Sequence, residues 1–486
     1  MRRREFIGVV GAGLGMAAWP HFAQAQQAAR PAAGGPSAIK PAQIIADFIV
    51  NFDLKNAPQV VVDRARIAFI DTIGVMLAGS QHQPTDIVCD MIRLEGSAPA
   101  ATIVGRPLRA SPQLAALANG VSGHSMDFDL TYSAGQAIAA LIPAILPVAE
   151  TAKSSPSEIL AAFIIGAEVC GRMSRAAPTM TRIAGWHNTG TVGTMAAAAA
   201  CTRLLKIPAA AIPDIMGITA SLASGVTANF GTMTKPLHSG QAARNGILAV
   251  QLGSKGFTAS PTALEGRDGF FENFARGLEQ TLEPFQDLGK SYDLARFGYK
   301  LKPYPSGGLG HTAIDAALEL RGTVPLADIA GVEVAITKYA GRRYTSRYPQ
   351  SVEGAKFSGP YLAAYTLVHG APMLSAFTEE ALHDEAVRAF AQKVTLTTYQ
   401  EHADLLEESP AKVTIMLKDG RKLERAKYYP SGSVQVPMTK AQIEEKFNVC
   451  AATAIKPEAA KKILAMLSAL GEQQSFGDFW PLLVKS

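Results

Sequence analysis

Residues 58–79 read PQVVVDRARIAFIDTIGVMLAG, and this stretch gives the clearest indication of the fold. Pro58 suits the first turn of a helix, and Gly79 is a common residue where a helix ends. Between them, residues that can pack recur three or four positions apart, at Val61, Ala65, Ala68, Phe69, Thr72 and Val75. This spacing predicts a helix with one face buried in a core.

The same helical pattern continues along the chain, in a composition that suits a large folded core. Of the 486 residues, 48% are hydrophobic and 18% are charged, and the mean hydropathy is +0.11, which excludes a disordered chain. Further helices are predicted at 42–52, 157–170, 189–205 and 241–252. We therefore predict an all-helical domain over residues 40–285.

The pattern changes after residue 285, where short stretches alternate and carry β-branched residues. Strands are predicted at 331–336, 412–417 and 422–429. They indicate a smaller α+β domain over 286–435. Residues 436–486 return to a helical pattern, begin near an N-cap at Thr439, and are predicted to pack back on the first domain. The predicted fold class is therefore mainly α, with a large all-helical domain plus a smaller α+β domain.

The start of the chain carries a targeting pattern and is set apart from the fold. The basic residues Arg2–Arg4 lead into the apolar stretch Ile7–Trp19, and Ala23–Ala25 offers a small-x-small cleavage site. The paired arginines resemble a twin-arginine signal, with an ordinary secretory signal or an uncleaved anchor as the alternative. We predict a signal peptide at 1–25, a flexible leader at 26–39 and a periplasmic protein.

Charge and motifs exclude several classes of protein. The 46 Lys and Arg against 41 Asp and Glu give a net charge of +5, a weak field for a chain of this length, so nucleic-acid binding is not predicted. The four cysteines form no C-x-x-C pair. After the signal, no dinucleotide fingerprint, G-x-S-x-G elbow or H-E-x-x-H helix occurs, which argues against nucleotide, serine-hydrolase and zinc-protease chemistry.

The segment His124–Thr131 places two carboxylates, Asp127 and Asp129, beside a histidine and a threonine. By itself this pattern fits a polar loop that caps a helix, or a metal site of the D-x-D type. A metal would lack a further carboxylate nearby to complete its oxygen ligands.

Three further segments could hold an anion. His187 precedes an alanine-rich helix, where it could face a cleft or lie at the edge of the core. Lys235 has His238 three residues on and Arg244 on the next predicted helix, which suits a carboxylate pocket or a solvated loop. The glycines in 306–311 could cradle a phosphate, but they match no nucleotide fingerprint.

Taken in order, motifs from nearly the whole chain after the leader resemble the MmgE/PrpD family, which includes 2-methylcitrate dehydratase, cis-aconitate decarboxylase and iminodisuccinate epimerase. The matching segments are 46–48, 66–79, 124–131, 185–193, 234–246, 256–271, 302–311, 356–361, 429–432 and 446–447. The resemblance implies a helical domain and a smaller α+β domain with the active site between them, a homodimer, a small di- or tricarboxylate as substrate, and neither a metal nor an organic cofactor.

The family's active-site positions match residues of this chain one by one. The matches are Asp127, Thr131, His187, Lys235, Lys302 and, less closely, Tyr344. In the hypothesis that the resemblance supports, His187 carries a proton and the two lysines stabilise an enediolate-like charge. Asp127 orients His187 or serves as the second acid or base. Thr131, Tyr344, His238 and His311 are candidates for substrate binding.

This chain departs from the family's pattern in three places. After the segment 124–131, which we call the acidic loop, the dehydratase and decarboxylase members carry a histidine, whereas this chain has Gln136 and Ala137. Leu130 replaces the second aspartate of an Asp-Asp-Thr motif, and Gly307 stands where the decarboxylase has a histidine. Because two imidazoles are missing, neither the decarboxylase nor the methylcitrate activity follows from the resemblance.

The sequence therefore predicts a cofactor-independent lyase of the dehydratase type, a hydro-lyase that removes a proton next to a carboxylate and completes a β-elimination. The alternatives are an epimerase or isomerase of a small dicarboxylate, and a carboxylate-binding protein without catalysis. The expected partners are the small polycarboxylate substrate and a second copy of the chain. Nucleic acid is not expected as a partner, nor is a membrane for the mature form.

Overall fold

The helix predicted from residues 58–79 crosses the core of the protein. It spans Gln59–Gly79, with Pro58 as its N-cap, and every residue from Ala68 to Gly79 is buried. The computed structural model describes residues 39–133, 135–180, 183–399 and 409–484. The predicted signal peptide and all of the leader except Ile39 lie outside the described residues.

The part of the chain before residue 300 is built from helices and two small strand pairs. The helices are α1 (Pro41–Asn51), α2 (Gln59–Gly79), α3 (Gln83–Glu95), α4 (Pro112–Ser125), α5 (Leu141–Ala152), α6 (Pro156–Ala176), α7 (Val192–Leu204), α8 (Ile212–Leu222), α9 (Thr234–Gly253), α10 (Phe270–Ala275) and α11 (Asp293–Arg296). Two antiparallel pairs join β1 (Ala101–Thr102) to β2 (Arg109–Ala110), and β3 (Thr131–Tyr132) to β4 (Tyr299–Lys300).

The rest of the chain contains a four-stranded sheet covered by helices. Its strands are β5 (Ile329–Thr337), β6 (Val394–Tyr399), β7 (Ala411–Leu417) and β8 (Lys422–Lys427), in the order β6-β5-β7-β8. β5 and β6 are parallel, and the other two pairs are antiparallel. The helices are α12 (His311–Leu320), α13 (Lys338–Gly341), α14 (Val352–Ala355), α15 (Gly359–His369), α16 (Glu379–Leu382), α17 (Glu385–Ala391), α18 (Lys440–Ala451), α19 (Pro457–Ser468) and α20 (Phe479–Leu482).

Two main hydrophobic cores correspond to the two kinds of structure. The larger core lies among the helices and includes Phe69 from α2 together with Phe447 and Leu467 from the C-terminal helices. The second core lies between the sheet and its helices and includes Val332 and Val413. The fold is therefore mainly α with a smaller α+β part, which confirms the predicted fold class. The boundaries 40–285, 286–435 and 436–486 stay predictions.

Helix α9 differs from the sequence prediction in a way that matters for the site. It begins at Thr234, whereas the apolar pattern predicted a start at residue 241. Its first turns are polar, and Pro236 is tolerated there because the first turn of a helix needs no donor from its backbone. Lys235 and His238 therefore lie on a helix, and Arg244 lies on that same helix.

Other predicted elements differ mainly at their ends. The helix predicted at 189–205 begins at Val192, because residues 187–191 form a turn in which the N–H groups of Gly190 and Thr191 donate to the His187 carbonyl. The C-terminal helical segment is divided by Pro457, which begins α19. Among the described residues, none of the helices has the length and apolar character needed to cross a bilayer.

Candidate active site

A cleft of about 640 Å³ lies between the helical part and the segments on either side of α12. All of the sequence-predicted site residues except His238 line it. They are Asp127, Thr131, His187, Lys235, Lys302, His311 and Tyr344. Residues almost 220 positions apart are thus brought together in one cavity, as the resemblance implied.

Local structure explains how the charged side chains meet. The acidic loop begins in the last turn of α4, and Lys235 lies in the first turn of α9, which packs against α4. The β3–β4 pairing sets Thr131 opposite Lys300, and this register carries Lys302 to the same loop. The two lysines therefore approach the acidic loop from different sides.

Asp127 is the centre of the charged group. Its Oδ1 atom lies 3.0 Å from Lys235 Nζ and 2.6 Å from Lys302 Nζ, and all three side chains are buried. Burial alone would raise the pKa of the Asp127 carboxyl, but the Lys235 and Lys302 ammonium groups hold it well below its usual range. Asp127 is thus ionised, and it orients the two lysines rather than His187.

His124 extends this group on the far side of Lys235. Its Nε2 atom lies 3.0 Å from Lys235 Nζ, and its Nδ1 atom lies 3.0 Å from Asp129 Oδ1. Because an ammonium group can only donate, Nε2 accepts and Nδ1 carries the proton that is donated to Asp129. Burial lowers the pKa of His124, so the imidazole is neutral. The sequence singled out His124 and Asp129 without predicting this pairing.

His187 faces the same cleft from the turn before α7. The centroid of its ring lies 4.8 Å from the centroid of the Phe230 ring and 5.7 Å from that of the His124 ring. Burial, followed by the neighbouring Lys235 charge, holds the pKa of His187 well below its ordinary value. His187 is therefore a neutral imidazole at neutral pH, in a position to take a proton.

His238 lies behind His187 and does not line the cleft. The two Nδ1 atoms are 2.9 Å apart, so one imidazole donates and the other accepts. Burial lowers the pKa of His238 to about 4, so both rings are neutral near pH 7. The tautomer of His238 then decides which nitrogen of His187 carries a proton. The predicted contact between His238 and substrate finds no support in this placement.

The remaining predicted residues occupy the wall of the cleft. Thr131 is partly buried in β3. The Tyr344 hydroxyl donates to the Gly307 carbonyl. His311 Nε2 lies 3.2 Å from the Ser306 carbonyl oxygen, and since a carbonyl only accepts, this nitrogen carries the proton. Substrate contact by these three residues stays a prediction.

Two positions that depart from the family's pattern take part in the site. Gln136 Nε2 lies 2.8 Å from Asp127 Oδ1 and 3.1 Å from Asp129 Oδ1, so an amide donor stands beside the acidic loop. A Cβ atom on Gly307 would lie 2.8 Å from the Tyr344 hydroxyl and 3.0 Å from Phe357, so those rings fill the space that a side chain would need. No spacing in the sequence indicates either contact.

The D-x-D motif does not suit a metal ion in this setting. His124, Asp127 and Asp129 offer ligand atoms within 4.8 Å of one another. However, the Asp127 oxygen already contacts two ammonium groups, and both His124 nitrogens have partners. A cation would have to bind beside Lys235 and Lys302, where like charges repel it. The donor set therefore fits an anion bound by the lysines better than a metal.

The arrangement is suited to carbanion chemistry. Two ammonium groups, fixed by Asp127, face a shielded cleft where they can stabilise negative charge that develops next to a carboxylate. A neutral imidazole, His187, stands within the same cavity as a candidate base. Asp127 is too acidic to donate a proton, so the chemistry divides between the lysines and His187.

Comparison with known proteins gives matches along most of the chain. The MmgE/PrpD N-terminal domain model matches residues 43–283, and the MmgE/PrpD C-terminal domain model matches residues 304–472. Cis-aconitate decarboxylase of Homo sapiens is 26% identical over 427 residues, which cover 84% of this chain and 87% of the relative. The Mus musculus protein of the same name is 26% identical over 428 residues, covering 84% and 86%.

A fungal relative shows the same relationship. Cis-aconitate decarboxylase of Aspergillus terreus is 26% identical over 447 residues, which cover 86% of this chain and 91% of the relative. The two domain models together account for most of the chain, and the interval between them, 284–303, contains Lys302. The chain therefore belongs to the MmgE/PrpD family.

Proposed function

We propose that the protein is a cofactor-independent lyase that acts on a small di- or tricarboxylate through a carbanion next to a carboxylate. The observation that carries the proposal is the placement of neutral His187 in the same cleft as Lys235 and Lys302, whose ammonium groups are held by Asp127. Fixed positive charge and a neutral base are the two requirements for such an intermediate.

The first reaction to consider is decarboxylation, because the similar proteins from three organisms are cis-aconitate decarboxylases. In this reaction the carbon–carbon bond to one carboxylate breaks, carbon dioxide leaves, and the electron pair moves to carbon. That carbon must then take up a proton. Lys235 is a better proton donor than Asp127, because burial lowers the pKa of Lys235 and the ionised Asp127 has no proton to give.

Dehydration, which the sequence suggested, passes through the same kind of carbanion. Here the carbanion forms by loss of a proton and not by loss of carbon dioxide. His187 would take the proton from carbon, the electron pair would form the double bond, and hydroxide would leave with a proton from an acid. Lys235 and His311 line the cleft, but burial lowers the pKa of His311 to about 3, so its imidazolium form is scarce. Lys235 would again have to donate, and one group would serve both charge stabilisation and leaving-group protonation.

Epimerisation of a dicarboxylate is the second candidate, and the departures from the family's pattern favour it. It needs removal and return of a proton but no acid for a leaving group. The resemblance implies that related lyases carry histidine where this chain has Gln136 and Ala137, and again where it has Gly307. Here Gln136 contacts Asp127, and Tyr344 fills the space beside Gly307. Loss of two imidazoles costs an epimerase less than it costs a lyase.

We also propose a cellular location and an oligomeric state for the protein. Arg2–Arg4 and the apolar stretch after them support export, by the twin-arginine route, to the periplasm. The family resemblance supports a homodimer. Detection of the protein in periplasmic and cytosolic fractions tests the first proposal, and light scattering of the purified protein tests the second.

Proton NMR in D2O tests the proposed reaction directly. The purified protein is incubated with cis-aconitate, citrate, 2-methylcitrate or iminodisuccinate, and the signals of substrate and product are followed. A product that lacks one carboxylate would identify decarboxylation, and a new alkene that keeps every carboxylate would identify dehydration. Deuterium uptake at carbon without a change in composition would identify epimerisation. Line broadening without turnover at any pH would instead indicate the carboxylate-binding protein and overturn the proposal.

A matched pair of variants links the activity to the site. His187→Asn keeps a polar atom near the Nδ1 position but removes Nε2, and it should lower kcat by roughly 10²- to 10⁴-fold. His383→Asn is the control, because His383 is exposed and its Nδ1 atom contacts the nearby Glu379 carbonyl. Equal turnover by both variants would remove His187 from the mechanism.

A further inference from the structure

Asp127 has a backbone conformation that is unusual for a buried residue. Its φ is +49°, in the left-handed region that L-residues other than glycine, asparagine and aspartate seldom adopt. The other described non-glycine residues with positive φ are exposed, whereas Asp127 is buried. Such a conformation carries an energetic cost, and it persists where the surroundings hold it.

The carbonyl groups around Asp127 show what holds it. Three buried lysines each donate to one of them, with Nζ–O distances of 2.7 Å for Lys356 to Ser125, 2.8 Å for Lys302 to Asp127 and 2.8 Å for Lys446 to Phe128. Hydrogen bonds from an ammonium group are among the stronger ones in proteins. The turn that carries Asp127 is therefore fixed on both sides.

Lys356 and Lys446 differ from the other lysines of the site. Neither lines the cleft, so neither is placed to touch substrate. Lys356 has Glu353 as its carboxylate partner, at 3.4 Å. Lys446 contacts Asp71 at 2.6 Å and lies 3.9 Å above the Phe128 ring. Each is a buried charge whose cost is offset partly by a carboxylate and partly by a carbonyl of the acidic loop.

We propose that Lys356 and Lys446 are positioning residues of the active site, which fix the carboxylate of Asp127 by holding the carbonyl groups of Ser125 and Phe128 on either side of it. The inference rests on the proposed function in one respect, that Asp127 belongs to the reacting centre. Lys356 comes from the α+β part and Lys446 from α18. The site thus takes its geometry partly from two lysines that do not themselves line its wall.

Small displacements of the turn at Asp127 would affect both catalytic lysines. Asp127 Oδ1 aligns both Lys235 and Lys302, so a shift of the loop moves both ammonium groups at once. Misplacement of a catalytic group by about 1 Å can reduce turnover by about 10²-fold. Loss of one lysine also leaves a buried carbonyl without its donor, which favours a different loop conformation.

The variants Lys356→Met and Lys446→Met test the proposal, because methionine has similar length and no donor. Lys393→Met is the matched control: Lys393 Nζ also donates to a backbone carbonyl, that of Ile329, at 2.9 Å and away from the site. Hydrogen–deuterium exchange is measured on peptides from 124–132, and kcat and KM are measured on whichever substrate is turned over. We expect faster exchange in 124–132 and a kcat lower by roughly 10- to 100-fold with KM within a few-fold.

The readouts separate a positioning role from a general loss of stability. If a methionine variant folds and shows unchanged exchange in 124–132 and unchanged kcat, the proposal is wrong. If a methionine variant does not fold, Lys356→Arg and Lys446→Arg keep a donor and should protect residues 124–132 from exchange. A folded arginine variant in which these residues exchange freely also contradicts the proposal. Exchange needs no substrate, so it tests the positioning even if the NMR panel shows no turnover.

Discussion

The side-chain amide of Gln136 lies 2.8 Å from Asp127 Oδ1, the same oxygen that contacts Lys235 and Lys302. An amide nitrogen can only donate, so all three neighbours stabilise the ionised carboxylate. Unlike an imidazole, Gln136 neither gains nor loses a proton near neutral pH. Asp127 therefore has a hydrogen-bond donor in Gln136 whose strength does not change with pH.

Replacement of Gln136 tests this donor. Gln136→Leu keeps much of the volume and removes the hydrogen bond to Asp127, and hydrogen bonds to charged groups contribute about 1.5–3 kcal/mol. We expect kcat/KM to fall by about tenfold or more, since Asp127 and the lysines are held less firmly. Gln136→Glu should be worse than leucine, because a third carboxylate would face Asp127 and Asp129. A leucine variant with full activity would show that the amide is dispensable.

The hydrogen bond between His187 and His238 predicts a graded effect at position 238. His238→Asn keeps a polar atom near the Nδ1 position, while His238→Leu leaves His187 without a partner on that side. We therefore expect kcat to decrease in the order wild type, asparagine, leucine, with KM changed little. Steady-state kinetics checks the order. A leucine variant as active as the wild type would mean that the tautomer of His187 does not depend on His238.

His311 predicts a specific dependence of stability on pH. Burial lowers its pKa to about 3 in the folded state, whereas an unfolded histidine titrates near about 6.5. Between these values the unfolded chain binds a proton that the folded chain does not, so His311 lowers the stability as the pH falls. The slope approaches about 1.4 kcal/mol per pH unit for this one buried group.

The variant His311→Gln isolates this contribution, because glutamine can place a donor near the position of Nε2 and does not titrate. At pH 7.5 we expect the variant to be less stable than the wild type or equal to it. As the pH falls from 6.5 to 4.5, its stability should fall less steeply, so the difference in free energy of unfolding shifts in its favour. Urea titrations at several pH values measure this, and parallel curves would contradict the shifted pKa.

The contact between Gly307 and Tyr344 predicts a coupled effect on stability. A Cβ atom at position 307 would lie 2.8 Å from the Tyr344 hydroxyl, so Gly307→Ala should destabilise the protein by about 1–3 kcal/mol. Tyr344→Phe removes that oxygen, and the double variant should recover part of the loss. Gly308→Ala is the control, since its Cβ would meet only Lys302 Cε, at 3.4 Å. Strictly additive effects in thermal unfolding would show that the two residues do not compete for space.

The sequence predicted the elements whose apolar spacing is regular and missed those that begin with polar residues. α2 follows its pattern closely, whereas the first two turns of α9 carry Lys235 and His238 and read as a loop. Propensity and spacing describe the packed face of a helix, and they say little about turns that line a cavity. The same limit applies to α7, which begins at Val192 although the spacing predicts a start at residue 189.

The sequence predicts which residues belong to the candidate site but not which of them contact one another. The resemblance identified Asp127, His187 and the two lysines, and the cleft brings them together. The roles of Gln136 and His124 could not be read from the sequence, because they depend on the left-handed turn at Asp127. Substrate contact by His238 stays a prediction that the placement does not support, because His238 contacts His187 and is absent from the lining of the cleft.

The ion pair between Lys446 and Asp71 joins residues separated by 375 positions, and Phe447 packs in the same core as α2. A nascent chain therefore has α2 and the acidic loop long before it has the helix that covers them. Until residues 440–451 leave the ribosome, the apolar side of α2 that faces α18 is open and the carbonyl of Phe128 lacks its donor. Folding of this core is thus completed only after the C-terminal helices are made, and until then the helical half exposes apolar surface that favours aggregation.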